Sequence, residues 1–161
     1  MKWLKLFEEF KKKKYKYHSL SGIALIVDDK ILLVHPRKYK KEKDKWSIPK
    51  GHIEGENSLK SALKELEEES GIKLKGKDYK EMFTIDYKKS GVFKFMDVYV
   101  YYLDKSDVKK YLGDNWEIKK KWYDKKEIFK CKFFDLDDAR KKIEIGMMDI
   151  IDHFQLKKEY I

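Results

Sequence analysis

Three glutamates on one predicted helix are the residues of this chain best placed to bind a metal ion. Glu65, Glu68 and Glu69 are separated by three and four residues, and side chains at these spacings share one face of an α-helix. Three crowded carboxylates repel one another, and a bound cation would remove that repulsion. Oxygen-only ligands suit Mg²⁺ or Mn²⁺, which bind through carboxylates together with substrate phosphate. The spacing therefore predicts a site for metal-assisted attack of water on a phosphoanhydride bond.

The alternative for this helix is a solvated face on which lysines and glutamates form ion pairs. Lys60, Lys64 and Glu67 fit that interpretation. The preceding loop favours the metal site, because it contains Gly51 and Gly55 just before the helix. A glycine lets the backbone approach a metal ion or a phosphate closely.

The helix that carries the glutamates is predicted over residues 57–70. Asn57 or Ser58 is a candidate N-cap, and Gly71 follows where a helix commonly ends. At 100° per residue, an apolar stripe lies roughly 110° from the carboxylates, so it can pack on a sheet while the carboxylates line a cleft. The stripe consists of Leu59, Ala62, Leu63 and Leu66.

The elements around this helix indicate a mixed fold. Two apolar runs, residues 23–27 and 31–34, flank a short polar link and predict a β-hairpin. The other predicted elements are strands at 82–87, 92–103 and 119–123 and helices at 136–143 and 147–154. Hairpins combined with helices in 161 residues indicate one α+β domain, an α/β/α sandwich.

Composition excludes several other classes of protein. Hydrophobic residues make up 42% of the chain, so it can bury a core, which a disordered chain cannot do. The single cysteine, Cys131, excludes an internal disulfide and any metal centre held by several cysteines. Apolar runs are too short to span a membrane, and residues 1–16 lack the apolar stretch of a signal peptide. We therefore expect a cytoplasmic protein with no membrane partner.

The charge favours an anionic partner. Lys and Arg total 39 against 29 Asp and Glu, a formal net charge of +10. Such a charge attracts polyphosphate-type small molecules and, as a second choice, RNA. Residues 1–16 predict a basic N-terminal helix or extension; the alternative is a basic arm that contacts nucleic acid or an anionic surface.

The block from Gly51 to Ile72 resembles the Nudix box, G-x5-E-x7-R-E-U-x-E-E-x-G-U, where U is aliphatic. The direct match covers residues 50–72, and the surrounding elements extend the resemblance over residues 17–156. It implies a Nudix hydrolase domain over 17–161, with a mixed β-sheet flanked by helices. This chain departs from the box twice: four residues instead of five separate Gly51 from Glu56, and Lys64 replaces the arginine. Lysine keeps the charge but not the planar fork of donors, and we expect hydrolysis to be retained.

The resemblance also implies roles for the residues of the box. Glu65, Glu68 and Glu69 would bind Mg²⁺ or Mn²⁺, and one of them, or a residue outside the box, would act as general base. Glu56 would pair with Lys64 and so orient Glu65. The remaining implied metal ligands are the backbone carbonyl at Gly51 and a late acidic residue, with Glu117 as first candidate and Asp97 and Asp114 as weaker ones.

The resemblance implies a nucleotide substrate, a nucleoside diphosphate linked to another moiety. Residues 49–54 are similar to those of dinucleoside polyphosphate hydrolases and RNA 5′-pyrophosphohydrolases. Candidate phosphate contacts are Arg37, Lys38, Lys50 and His52, and the leading aromatic candidates are Tyr87 and Trp116. Phe93, Phe95, Tyr99 and Tyr101 share one strand face, which is either core or a surface for stacking on a base.

Several alternatives stay open at the level of sequence. Dinucleoside polyphosphates or nucleoside triphosphates lead, ADP-ribose follows, and the 5′ end of RNA comes third. The alternative to an enzyme is a Nudix module that binds a nucleotide or RNA without cleaving it. The sequence does not specify an oligomeric state, and a homodimer is one alternative.

Overall fold

A six-stranded mixed β-sheet forms the centre of this protein. The computed structural model describes residues 19–74, 78–89 and 92–159, without the side chains of 87–89, 92 and 159; the predicted N-terminal extension lies outside these residues. The strands are β1 (Ser19–Val27), β2 (Lys30–Pro36), β3 (Lys50–His52), β4 (Glu81–Lys89), β5 (Val92–Leu103) and β6 (Ile128–Asp135). The helices are α1 (Ser58–Ser70), α2 (Lys105–Val108), α3 (Leu136–Lys142) and α4 (Met148–Glu159).

Strand β1 organises the sheet, whose order is β4-β5-β1-β2-β6. It runs parallel to β5 along its whole length, from Ser19 opposite Phe95 to Val27 opposite Leu103. Its other edge is divided, because the C-terminal end pairs with β2 and the N-terminal end with β3. Between the two, β1 and β2 separate, and residues 47–49 lie between them: the Val34 N–H of β2 donates to the Ser47 carbonyl at 2.8 Å, and the Ile23 N–H of β1 donates to the Pro49 carbonyl at 3.1 Å. Strand β3 follows directly after this segment.

The two faces of the sheet carry separate cores, which confirms the predicted α/β/α arrangement. Ala62 and Leu66 of α1 are fully buried against one face, with Phe133 of β6 in the same cluster. On the opposite face, α4 packs Ile150 and Phe154 against the sheet. None of the helices in the described part of the chain is long and apolar enough to cross a membrane.

The ends of α1 follow the signals in the sequence. Asn57 is the N-cap, and its side-chain oxygen accepts the N–H of Lys60 at 2.9 Å. Gly71 ends the helix with φ of +81°, a conformation that favours glycine. A Cβ at Gly71 would also lie 2.6 Å from the Cβ of Trp122. Backbone conformation and lack of space therefore both require glycine there.

Two predicted features are corrected by the structure. Residues 119–123 are not a strand: Lys120–Trp122 is a short 3₁₀ turn, and the preceding Ile118 donates its N–H to the Cys131 carbonyl. The sixth strand is instead β6, which the sequence analysis did not identify. Lysine at three successive positions, 119–121, gives no alternation of apolar and polar residues, so burial on a sheet face is not available to that segment.

The aromatic face of β5 divides between core and surface. Tyr99 and Tyr101 are buried, whereas Phe93, the second residue of β5, is 58% exposed. Of the two alternatives for this face, core or a surface for stacking on a base, core is correct for Tyr99 and Tyr101.

Candidate active site

A cleft of about 260 Å³ opens where β3 meets α1. Its charged lining includes Lys38, Lys50, His52, Glu69, Lys94 and Glu127. The Glu69 side chain reaches across from α1, and its Oε1 accepts the backbone N–H of Lys50 at 2.8 Å. Helix α1 and strand β3 are thus joined by a hydrogen bond between a side chain and the backbone.

Gly51 lies directly against the side chain of Glu65. A Cβ at Gly51 would be 2.7 Å from the Cγ of Glu65 and closer still to its carboxylate. The glycine is therefore required for close approach, as the sequence analysis proposed, although the group it approaches is a glutamate of α1. Gly51 also pairs with Ser21 of β1, which fixes its position relative to the sheet.

Both of these glutamates hold protons more tightly than an exposed carboxyl group. Burial and, to a smaller extent, the charge of Glu68 together raise the pKa of Glu65 to about 7. Burial also raises the pKa of Glu69 to about 8, with a contribution from Glu65, although the Lys50 N–H opposes the shift. The charge of Glu127 acts in the same direction on both groups. A cation bound beside them would lower both pKa values and take the place of these protons.

Lys64 pairs with Glu54, and the predicted Glu56–Lys64 pair is wrong. The Lys64 Nζ lies 3.1 Å from a carboxylate oxygen of Glu54 and 3.9 Å from one of Glu68. Glu54 is held beside α1 because its N–H donates to the Ser61 Oγ at 3.0 Å, and Ser61 is one turn before Lys64. Glu56 follows the left-handed Gly55 and is exposed.

The three box glutamates do not form a closed ligand set in this arrangement. Among the described residues, no group of three acidic, histidine or cysteine side chains is arranged to hold a metal ion. The Glu65 side chain lies against Gly51 and that of Glu69 against Lys50, whereas Glu68 is half exposed and lies 3.9 Å from the Lys64 Nζ. The all-oxygen donors and the raised pKa values still fit Mg²⁺ or Mn²⁺, provided that Glu68 exchanges Lys64 for the cation.

The candidate phosphate contacts divide between the cleft and the outer surface. Lys38, Lys50 and His52 line the cleft. Arg37 does not: its Nε donates to the Lys125 carbonyl, and its guanidinium lies over the Phe129 ring. The side chain of Tyr87 lies outside the described residues.

Trp116 and Glu117 lie away from the cleft, contrary to expectation. Glu117 pairs with Lys132 of β6, four residues along the strand from the cleft residue Ile128, a distance of about 13 Å at strand geometry. The weaker candidates are also elsewhere. Asp97 accepts hydrogen bonds from Ser58 at 2.7 Å and Thr84 at 2.9 Å, and Asp114 is exposed.

Glu127 is the acidic cleft residue that sequence reasoning missed. It precedes β6, and its carbonyl accepts the Arg37 N–H at 2.8 Å, so β2 and β6 deliver it to the cleft together. Recognition of the buried positions Ile128, Cys131 and Phe133 as a strand would have placed Glu127 at a strand end. Glu144, which is 6% exposed, also lines the cleft.

His35 holds the loop that forms one wall of the cleft. Its Nε2 lies 2.8 Å from the Tyr39 carbonyl and 3.1 Å from the Glu42 carbonyl. Because both partners can only accept, Nε2 carries the proton. The ring also stacks on Trp46 at 4.8 Å. His35 is therefore a hydrogen-bonding residue rather than a metal ligand.

Comparisons with known proteins agree with this architecture. An Ap4A hydrolase from C. elegans, solved as a binary complex, has a TM-score of 0.61 and 20% identity over 89% of this chain and 99% of its own. A NUDIX hydrolase from Nitrosomonas europaea has a TM-score of 0.63 and 16% identity, over 89% of this chain and 90% of its own. A bifunctional NMN adenylyltransferase/ADP ribose pyrophosphatase from Francisella tularensis has a TM-score of 0.64 and 16% identity, over 98% of this chain but 46% of its own.

At these identities the solved structures show a shared fold. None of the curated proteins matches the sequence. The family model described as the NUDIX domain, however, matches residues 16–154, which is most of the chain. The chain therefore belongs to the Nudix family.

Proposed function

We propose that this protein is a metal-dependent hydrolase of a phosphoanhydride bond in a nucleoside diphosphate linked to another moiety. The observation that carries the proposal is the pair Glu65 and Glu69, held against Gly51 and Lys50 with pKa values raised to about 7 and about 8. A protein that uses acidic residues only for solubility keeps them exposed. Two carboxyl groups whose pKa values are raised by burial, beside a cleft, indicate a functional site.

Glu65, Glu68 and Glu69 would hold Mg²⁺ or Mn²⁺, with the Gly51 carbonyl and Glu127 as further candidates. The bound cation would neutralise phosphate charge and lower the pKa of an attacking water. A box glutamate or Glu127 would act as general base.

The positive side chains of the cleft would bind the phosphates of the substrate. Lys38, Lys50 and Lys94 line it from three different segments of the chain. This distribution suits an extended polyphosphate, because successive phosphates would meet successive ammonium groups. Dinucleoside polyphosphates or nucleoside triphosphates therefore lead, in keeping with the Ap4A hydrolase neighbour. ADP-ribose follows, and the 5′ end of RNA is third.

A panel assay tests this proposal. The protein is incubated with Mg²⁺ or Mn²⁺ and with diadenosine polyphosphates, nucleoside triphosphates, ADP-ribose and 5′-triphosphorylated RNA, and the products are separated by chromatography. We expect turnover that requires the metal and is lost in Glu69→Gln. Lys60→Gln, on an exposed part of the same helix, is the matched control and should keep full activity. Full turnover in Glu69→Gln would contradict the site assignment.

A non-catalytic binding module is the second candidate, favoured by the ion pair between Lys64 and Glu68. If Glu68 stayed with Lys64, the metal site would lose one of its three box carboxylates. Nucleotide binding without turnover on the whole panel would support this candidate over the enzyme.

A further inference from the structure

A second groove, of about 600 Å³, lies outside the hydrolase cleft. It follows the outer edge of β6, between the turn at residues 115–117 and α3, and it shares no lining residue with the cleft. Successive residues line the two sites, Trp46 the groove and Ser47 the cleft.

Positively charged side chains outnumber negatively charged ones along the groove. Four lysines line it, Lys30, Lys130, Lys132 and Lys142, and Lys105 reaches it over the Trp116 ring. Within residues 19–74, 78–89 and 92–159, none of the five forms a salt bridge. The facing carboxylates are Glu117, Asp135 and Asp138, and the Asp135 carboxylate already accepts the Asp138 N–H at the start of α3. The excess of ammonium groups favours an anionic occupant.

Trp116 gives the groove an aromatic wall. Asn115 and Trp116 both have positive φ, 56° and 63°, and a bulky aromatic residue rarely adopts this conformation. The turn directs the indole against Phe133, with the Nζ of Lys105 4.5 Å and that of Lys30 5.4 Å from the ring centroid. Both ammonium groups lie over the indole, so a base that stacks on the ring would displace one of them, and the displaced lysine can contact the adjoining phosphate.

We propose that this groove binds single-stranded nucleic acid, with Trp116 stacking on a base and the lysines contacting phosphates. A single strand fits better than a duplex, because the bases must be open for stacking on an indole. Lys130 and Lys132 are two residues apart on β6, about 6.6 Å along the strand. Their positive charges therefore follow one another along the groove, as the phosphates do along a nucleic-acid strand. The site is additional to the proposed hydrolase activity and does not depend on it.

Fluorescence anisotropy with a 3′-labelled, single-stranded RNA tests the proposal. The RNA carries a 5′-hydroxyl group, so that no polyphosphate is offered to the hydrolase cleft, and the measurement contains EDTA. We expect Trp116→Ala to weaken binding between about 5-fold and 100-fold, the usual effect of removing one stacking side chain. The double variant Lys30→Gln/Lys132→Gln should lower the slope of log affinity against log salt by about 1.4, or about 0.7 per phosphate contact.

The controls separate a site from general attraction by charge. Lys60→Gln/Lys80→Gln removes the same charge from exposed positions outside the groove and should keep the wild-type salt slope. Glu69→Gln should keep wild-type RNA affinity, since its side chain lies in the cleft. Circular dichroism checks the fold of each variant, and the lysine pair decides the matter if Trp116→Ala does not fold.

Three outcomes would overturn the proposal. In the first, the groove lysine pair has no more effect than its control, which means that the charge acts without a site. In the second, AMP binds as tightly as the RNA and competes with it, which indicates a mononucleotide pocket. In the third, the wild-type protein does not bind the RNA at low salt.

Discussion

Gly51→Ala is the most direct test of how Gly51 positions the Glu65 side chain of α1. The added Cβ would lie 2.7 Å from the Cγ of Glu65, where 3.4 Å is an ordinary contact. The Glu65 side chain must then retreat by at least about 0.7 Å, and its carboxylate by more. A misplacement near 1 Å in a reacting geometry costs on the order of 100-fold in rate, so we expect kcat to fall by roughly that factor.

The same change should also destabilise the protein, because overpacking a filled site costs about 1–3 kcal/mol. For a chain of this length, that corresponds to a fall in Tm of between about 2 and 12 °C. Activity is measured per folded molecule below the Tm, and Mn²⁺ affinity is measured by titration calorimetry. The calorimetry reports displacement of Glu65 even if no substrate has been identified.

Gly55→Ala is the matched control in the same loop. A Cβ at Gly55 would meet nothing within 4 Å, but its φ of +69° is strained for alanine. This variant should lose stability and keep the metal affinity and the rate of the folded protein. If Gly51→Ala kept both as well, or if the two variants lost the same amount, contact with Glu65 would not be the reason for glycine at position 51.

Variants at three further positions, Glu69, Lys64 and Gly71, test the electrostatics and packing around α1. In EDTA, wild-type stability should fall as the pH rises from about 4.5 to about 8, because the folded state keeps protons on Glu65 and Glu69 that the unfolded state releases. Glu69→Gln should reduce this loss, so that the two Tm values agree below about pH 4.5 and the variant is higher at pH 8. Lys64→Ala should leave the midpoint of urea unfolding nearly unchanged, because its pair with Glu54 is exposed. Lys64→Arg should keep or raise the rate. Gly71→Ala should cost about 2 kcal/mol or more in urea unfolding, because strain at positive φ and contact with Trp122 act together, whereas Gly113→Ala, with nothing nearer than 3.5 Å, should cost less.

Helix α1 could be predicted from sequence because the interactions that define it are local. Its cap, Asn57, bonds to a backbone group three residues away, and its apolar stripe follows the helical period. Ala62 and Leu66 accordingly became core positions. Such features depend on a short segment of chain, so no knowledge of the remaining fold is needed.

The missed residues depend on pairing between distant segments. Glu127 reaches the cleft because β6 pairs with β2, and it contacts Arg37, which is far away in sequence. In β6 itself, Phe133 and Phe134 are adjacent and both buried, one in each core, which breaks the alternation expected for a half-exposed strand. Lys64 pairs with Glu54 and not with Glu56, because the hydrogen bond from the Glu54 N–H to Ser61, seven residues away, holds Glu54 beside α1.

The parallel pairing of β1 with β5 has a consequence for how this chain folds. Ser19 must find Phe95, and the intervening chain contains α1 and three other strands. Contacts this distant in sequence slow folding, because the loop entropy is lost before the contact forms. During synthesis, the apolar edge of β1 would emerge long before its parallel partner does. Chaperone binding to residues 19–27 of the nascent chain, ending once residue 103 has left the ribosome, is the behaviour that this topology leads us to expect.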